Sequence, residues 1–116
     1  MEKAYILGGI RSDIGIENGK YCNIPAEKLG AAVFTQLLEK YSIEPEKIDL
    51  VIAGNAVGAG GNLTRLMLLE SEIGKDIPAV TVDVQCGSGL ESIALAAAKI
   101  QSGQADVVIA GGFESS

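Results

Sequence analysis

The sequence predicts an α/β protein built on a mostly parallel sheet, with elements in the order β-α-β-α-β-α-β. Three observations carry that prediction. Short apolar runs alternate with longer segments of helical period along the 116 residues, and such alternation builds crossover units that lay helices on a parallel sheet. The runs are continuously apolar rather than alternating, as in strands buried on both faces. The apolar mass is mainly Ala, Val, Ile and Leu, with 4% aromatics and 15 glycines, a composition suited to close backbone approach.

Taken in order, Ala4-Tyr5-Ile6-Leu7 is the first expected strand, ended by Gly8-Gly9. The polar stretch from Arg11 to Asn23 is a loop. Pro25 suits the first turn of the helix that follows, and Glu27 complements its dipole. Ala26, Leu29, Val33, Phe34, Leu37, Leu38 and Tyr41 recur at i, i+3, i+4 spacing over four turns. Pro45 breaks the pattern. Leu50-Val51-Ile52-Ala53 is the second strand, closed by Gly54-Asn55 and the glycine-rich loop 58–62. Asn62 is the expected N-cap of a second helix, Leu63 to Ile73. Gly74 is its expected terminator, and Pro78 bars further helix. A third strand spans 79–84, a third helix 86–102, and a fourth strand Val107-Val108-Ile109-Ala110 ends at Gly111-Gly112.

The third helix carries only Glu91, Lys99 and Gln101 as strongly polar residues. A helix apolar nearly all round is expected to be buried. Cys86 stands at its start, just past a strand. Free backbone N–H groups and the positive end of the helix dipole favour a thiolate at such a point, and open α/β sheets bind ligands beyond the carboxyl ends of their strands. Position alone leaves an inert core cysteine as an equal reading. The chain contains no histidine, whereas a cysteine nucleophile ordinarily works with a nearby base.

Composition removes several function classes. The net charge is −6, and the nine basic residues are scattered from Lys3 to Lys99 without clustering, which argues against nucleic acid and anionic membrane as partners. No apolar run has transmembrane length and no signal-peptide pattern opens the chain, so a cytoplasmic location is expected. Cys22 and Cys86 admit one disulfide by count, but a reducing cytosol disfavours it. Two cysteines without histidine make no ordinary zinc site. The loop 58–62 follows a strand and precedes a helix, yet its spacing fits neither the dinucleotide fingerprint nor the phosphate loop.

Five segments together point further. Val84-Gln85-Cys86-Gly87-Ser88-Gly89-Leu90 resembles the nucleophile segment of thiolases, the acetyl-CoA acetyltransferases and 3-ketoacyl-CoA thiolases. Arg11-Ser12-Asp13-Ile14-Gly15 resembles the family's Arg-Thr-Pro-Phe-Gly, with Asp13 and Ile14 in place of proline and phenylalanine. Pro25-Ala26-Glu27-Lys28-Leu29-Gly30 resembles the opening of its first helix, and Gly54-Asn55-Ala56-Val57 its second strand end. Ala105 to Ser115 resembles the segment carrying its Gly-Gly-Met-Glu-Ser-Met signature, as Gly111-Gly112-Phe113-Glu114-Ser115.

The resemblance implies a thiolase-like fold, with residues 1–116 forming part of the N-terminal domain. It implies that Cys86 takes an acyl group from acyl-CoA as a thioester, for thiolytic cleavage or Claisen condensation, and that its backbone N–H is one oxyanion donor. Acyl-CoA is then a substrate, and no separate cofactor or metal is called for. The family's two histidines and second acid/base cysteine lie further along its chains, and Cys22 does not match that second cysteine; a partly buried spectator thiol is expected there. Glu114 is expected to be a structural anchor, and Arg65 a solvated helix residue. The chain stops just past a strand, which suggests truncation and activity only with a further half, possessed in cis or supplied by a separate C-terminal thiolase chain. A third or fourth strand left as an open edge would favour a homo-oligomer. The rival readings are a non-catalytic remnant or pairing subunit, and a relative of the ketosynthases, which also present a cysteine on a buried helix.

Overall fold

The computed structural model describes residues 2–115. Its elements are α1 (Ala26–Tyr41), β1 (Leu50–Gly54), α2 (Leu63–Ser71), β2 (Ala79–Val82), α3 (Ser88–Gln101) and β3 (Val108–Gly112), with a short 3-10 turn at Pro45–Lys47 before β1. The sheet order is β2-β1-β3, and both pairings are parallel. Leu50 stands opposite Val108, and Val51 opposite Ala79 and Ile109. All three strands therefore present their carboxyl ends on one side. The helical crossovers divide between the faces: α2 packs on one face with α1 against it, and α3 covers the other.

Strand alternation decides which side chain meets which layer. Val51 and Ala53 join Phe34, Leu38, Met67, Leu68 and Ile77 in the main apolar cluster. Ile52 and Gly54 point the opposite way, towards α3. Burial of each large side chain of that cluster contributes roughly 1.5–3 kcal/mol. Helix α1 ends where Ser42 turns left-handed, at φ 53°, and Ile43 N–H reaches back to Leu38 O at 2.9 Å.

Four sequence expectations need correction. The segment Ala4–Leu7 forms no strand: Tyr5, Ile6 and Leu7 are exposed. The Tyr41 hydroxyl binds both polar groups of Gly9, accepting from its N–H at 3.1 Å. The segment makes no ladder pairing with β1, β2 or β3. The sheet accordingly has three strands, and only the central β1 is buried along most of its length.

Helix α2 stops at Ser71, not Ile73. Ser71 Oγ donates to Leu68 O and accepts from Gly74 N–H, and Glu72 takes a positive φ of 63°. The terminator is thus Glu72, with Gly74 already outside. At the other end Asn62 is the N-cap, its side chain accepting from Arg65 N–H at 3.3 Å. β2 ends at Val82 and α3 begins at Ser88, because the intervening residues form a tight turn described below.

The largest departure concerns α3 itself. It is not buried all round. Ser88, Ser92 and Ala96, four residues apart, face the sheet, while Leu90 is 76% exposed and Ile93 42%. Small side chains let this helix sit close to β1 and β3, and its larger aliphatic residues consequently point outward.

Candidate active site

The site begins with a close approach. A Cβ on Gly54 would lie 2.7 Å from the backbone carbon of Ser88, so only glycine at the end of β1 lets the first turn of α3 rest there. Ser92 Oγ then donates to the Gly111 carbonyl of β3 at 2.8 Å and lies within 2.6 Å of Gly89 O. Helix α3 is held across both strands by small and hydroxylated residues.

Two side chains stitch the carboxyl ends of β1 and β3 together. Asn55 Nδ2 donates to Phe113 O at 2.7 Å in a buried position, and Phe113 N–H returns a bond to Gly54 O at 3.1 Å. The Glu114 carboxylate accepts from the backbone N–H groups of Ala56 and Val57. Glu114 is therefore an anchor of the loop after β1, as expected.

Above these strand ends opens a cleft of about 860 Å³, lined among others by Arg11, Gly54, Ala56, Gln85, Cys86 and Glu114. Cys86 is exposed in it as a free thiol. It precedes Gly87, the N-cap of α3, so it stands just outside the helix rather than at its first position. The turn that carries it is held tightly. Gln85 has φ 58°, a left-handed conformation that a non-glycine residue adopts at a cost of about 1 kcal/mol or more. Asp83 Oδ1 accepts from Gln85 N–H at 2.9 Å. Ser88 Oγ donates to Gln85 O at 2.7 Å and accepts from Val84 N–H at 3.0 Å.

The other sequence candidates fall in different places. Cys22 is exposed, not partly buried, and it lines the same cleft as a second free thiol; the turns at 17–23 leave its side chain uncovered. Arg65 donates to Lys75 O at 2.5 Å and so ties α2 to the chain leading into β2. On the cleft rim, Asp13 pairs with Lys20 at 2.5 Å, both side chains being well exposed. The hydrogen bond from Lys20, and then its charge, hold the Asp13 carboxyl below the usual range. At the opposite end of the sheet, Asp49 Oδ2 accepts from Asp106 N–H at 2.7 Å and Val107 N–H at 3.1 Å, and these bonds lower its carboxyl in the same way. Sequence reading missed Ser88, Ser92 and Asp83. Their one signal is polarity at positions that face the sheet or flank the cysteine, which is visible only once the register of α3 is known. No helix among the described residues is long and apolar enough to cross a membrane.

A parallel α/β sheet with an exposed cysteine before a crossover helix, and a Gly-Gly-Phe-Glu-Ser segment closing the floor beneath it, matches a known class: residues 4–116 fit the family described as thiolase, N-terminal domain. The chain belongs to that family. Among individual proteins, it is 44% identical over 115 residues to VraB of Staphylococcus aureus (strain COL), provisionally named an acetyl-CoA C-acetyltransferase, covering 99% of this chain and 30% of that one. It is 39% identical over 118 residues to the steroid 3-ketoacyl-CoA thiolase FadA6 of Mycobacterium tuberculosis (strain ATCC 25618 / H37Rv), covering 99% and 29%. The crystal structure of the Bacillus anthracis acetyl-CoA acetyltransferase superposes with a TM-score of 0.84 at 31% identity, covering 89% of this chain and 27% of that chain. The 116 residues thus span under a third of the length of these relatives.

Proposed function

We propose that this chain supplies the acyl-accepting cysteine of a thiolase, and that Cys86 is that residue. The observation that carries the reading is the exposure of Cys86 in the cleft where the ends of β1 and β3 meet the start of α3. In the proposed step the Cys86 sulfur attacks the thioester carbonyl of acyl-CoA. A carbon–sulfur bond forms and the carbonyl electron pair moves to oxygen. Collapse then expels coenzyme A, which takes up the proton, and leaves the acyl group as a thioester on Cys86. The oxyanion formed on the way requires fixed N–H donors, and the reading assigns one of them to the backbone N–H of Cys86. The acyl group is then passed to a second acyl-CoA by Claisen condensation, or the reverse sequence cleaves a 3-ketoacyl-CoA.

The base for the carbon–carbon bond-forming or bond-breaking step comes from outside the 116 residues, since they include no histidine. That same absence, with both β2 and β3 at sheet edges, favours the second reading, in which the chain is a non-catalytic remnant or a pairing subunit with a structural role. Intact mass after incubation with acetyl-CoA tests the first reading. One acetyl adduct on the wild-type chain and none on Cys86→Ser is expected, and an adduct that survives Cys86→Ser overturns the assignment. The isolated chain is expected not to turn over acetoacetyl-CoA, and measurable turnover would exclude the second reading. Light scattering reads self-association, with a clean monomer at tens of micromolar counting against pairing through an edge.

A further inference from the structure

We infer that Ser88 and Asp83 are positioning residues for Cys86, acting through the left-handed Gln85 between them; the inference rests on Cys86 being the acyl acceptor. The peptide groups of Gln85 are held at both ends. Its N–H is bound by the Asp83 carboxylate, and its carbonyl by both the side chain and the backbone N–H of Ser88, at 2.7 and 3.1 Å. Ser88 is 5% exposed and its backbone rests against Gly54, so its hydroxyl is a fixed point, while Asp83 is exposed. A non-glycine residue does not stay at φ 58° unaided, and the next residue in the chain is Cys86. Releasing Gln85 to an ordinary conformation would swing the thiol away from the strand ends without touching the core.

Cys22 makes the effect measurable, because it is a second exposed thiol in the same chain and serves as an internal reference. The experiment measures alkylation of both cysteines by iodoacetamide across pH, resolved by peptide mass, with far-UV circular dichroism alongside. Asp83→Ala and Ser88→Ala are each expected to slow Cys86 relative to Cys22 by about fivefold, the scale of one lost hydrogen bond. Gln85→Gly added to either variant is expected to restore the rate, since glycine takes a positive φ without the side-chain penalty. Asp83→Asn, which keeps an acceptor oxygen, is expected to stay near wild type. An unchanged Cys86:Cys22 ratio in Asp83→Ala overturns the inference, as does a loss that Gln85→Gly leaves in place. A purely structural role would shift both thiols together. Because Asp83 is exposed, its variants read out even if Ser88→Ala fails to fold. Absence of an acetyl adduct alongside the expected fall in the Cys86:Cys22 ratio would remove the proposed function and leave the positioning itself standing.

Discussion

Helices α1 and α3 lie in opposite layers of one sheet and follow opposite rules. Helix α1 turns Phe34 and Leu38 into the main apolar cluster with Met67 and Leu68 of α2, and its polar residues face outward. Helix α3 turns Ser88, Ser92 and Ala96 to the sheet and leaves Leu90 and Ile93 outside. The first helix is held mainly by apolar burial. The second is held by close approach and hydroxyl hydrogen bonds, and it carries the cysteine. A helix that presents a reactive group needs a fixed distance from the strand ends, which small residues provide. The outward aliphatic face is the cost of that arrangement within these 116 residues.

The comparison can be broken most directly from the α1 side. Phe34→Ala should destabilise the chain by about 3–5 kcal/mol, read from urea unfolding; a cost below that of any α3 substitution would refute the division of labour. On the α3 side, Gly54→Ala places a methyl group against the Ser88 backbone at 2.7 Å. An overpacking cost of about 1–3 kcal/mol is expected, together with altered alkylation of Cys86. Ser92→Ala removes a donor from the Gly111 carbonyl and should cost about 1 kcal/mol, with no cavity large enough to matter.

A smaller effect depends on pH. The Asp49 carboxyl is lowered in the folded chain by its bonds from Asp106 and Val107 N–H. A lowered carboxyl contributes stability that is complete above its unfolded value near 3.8 and is lost as pH falls through the folded value. Asp49→Asn should flatten that acid limb of an unfolding midpoint series and leave the neutral region nearly level. Least of all, Leu90→Ser should change monomer stability by no more than about 0.5 kcal/mol, because Leu90 is already exposed. A larger loss would mean that the outward face of α3 is covered in solution.

How far the sequence disclosed this arrangement depends on which signal each element used. Helix α1 was readable because its apolar period, Pro25 and the break before Pro45 agree, although Pro25 is its N-cap and not part of its first turn. The core strands were readable as apolar runs. Ala4–Leu7 has the same composition as those strands and forms none, since strand formation needs a neighbouring ladder that local sequence does not provide. Helix α3 misled for a related reason. Its apolar content was plain, but which side met the sheet depended on Gly54 and on two serines whose partners lie 19 residues or more away or across a turn. Cys86 was legible as a thiol near a helix start. The left-handed Gln85 that aims it was not, because the residue type gives no warning of that conformation.

The two carboxylates at opposite ends of the β1–β3 pair have a bearing on how the chain assembles. Asp49 and Glu114 each bind backbone groups 57 or 58 residues distant, so they lock the longest loop of the sheet at both its mouth and its base. Contacts of that span carry the greatest loop-closure entropy and tend to form late. During synthesis the cysteine and the helix that follows it are made before Glu114 exists. The thiol is therefore made first, and its cleft acquires a floor only when the last few of these residues arrive.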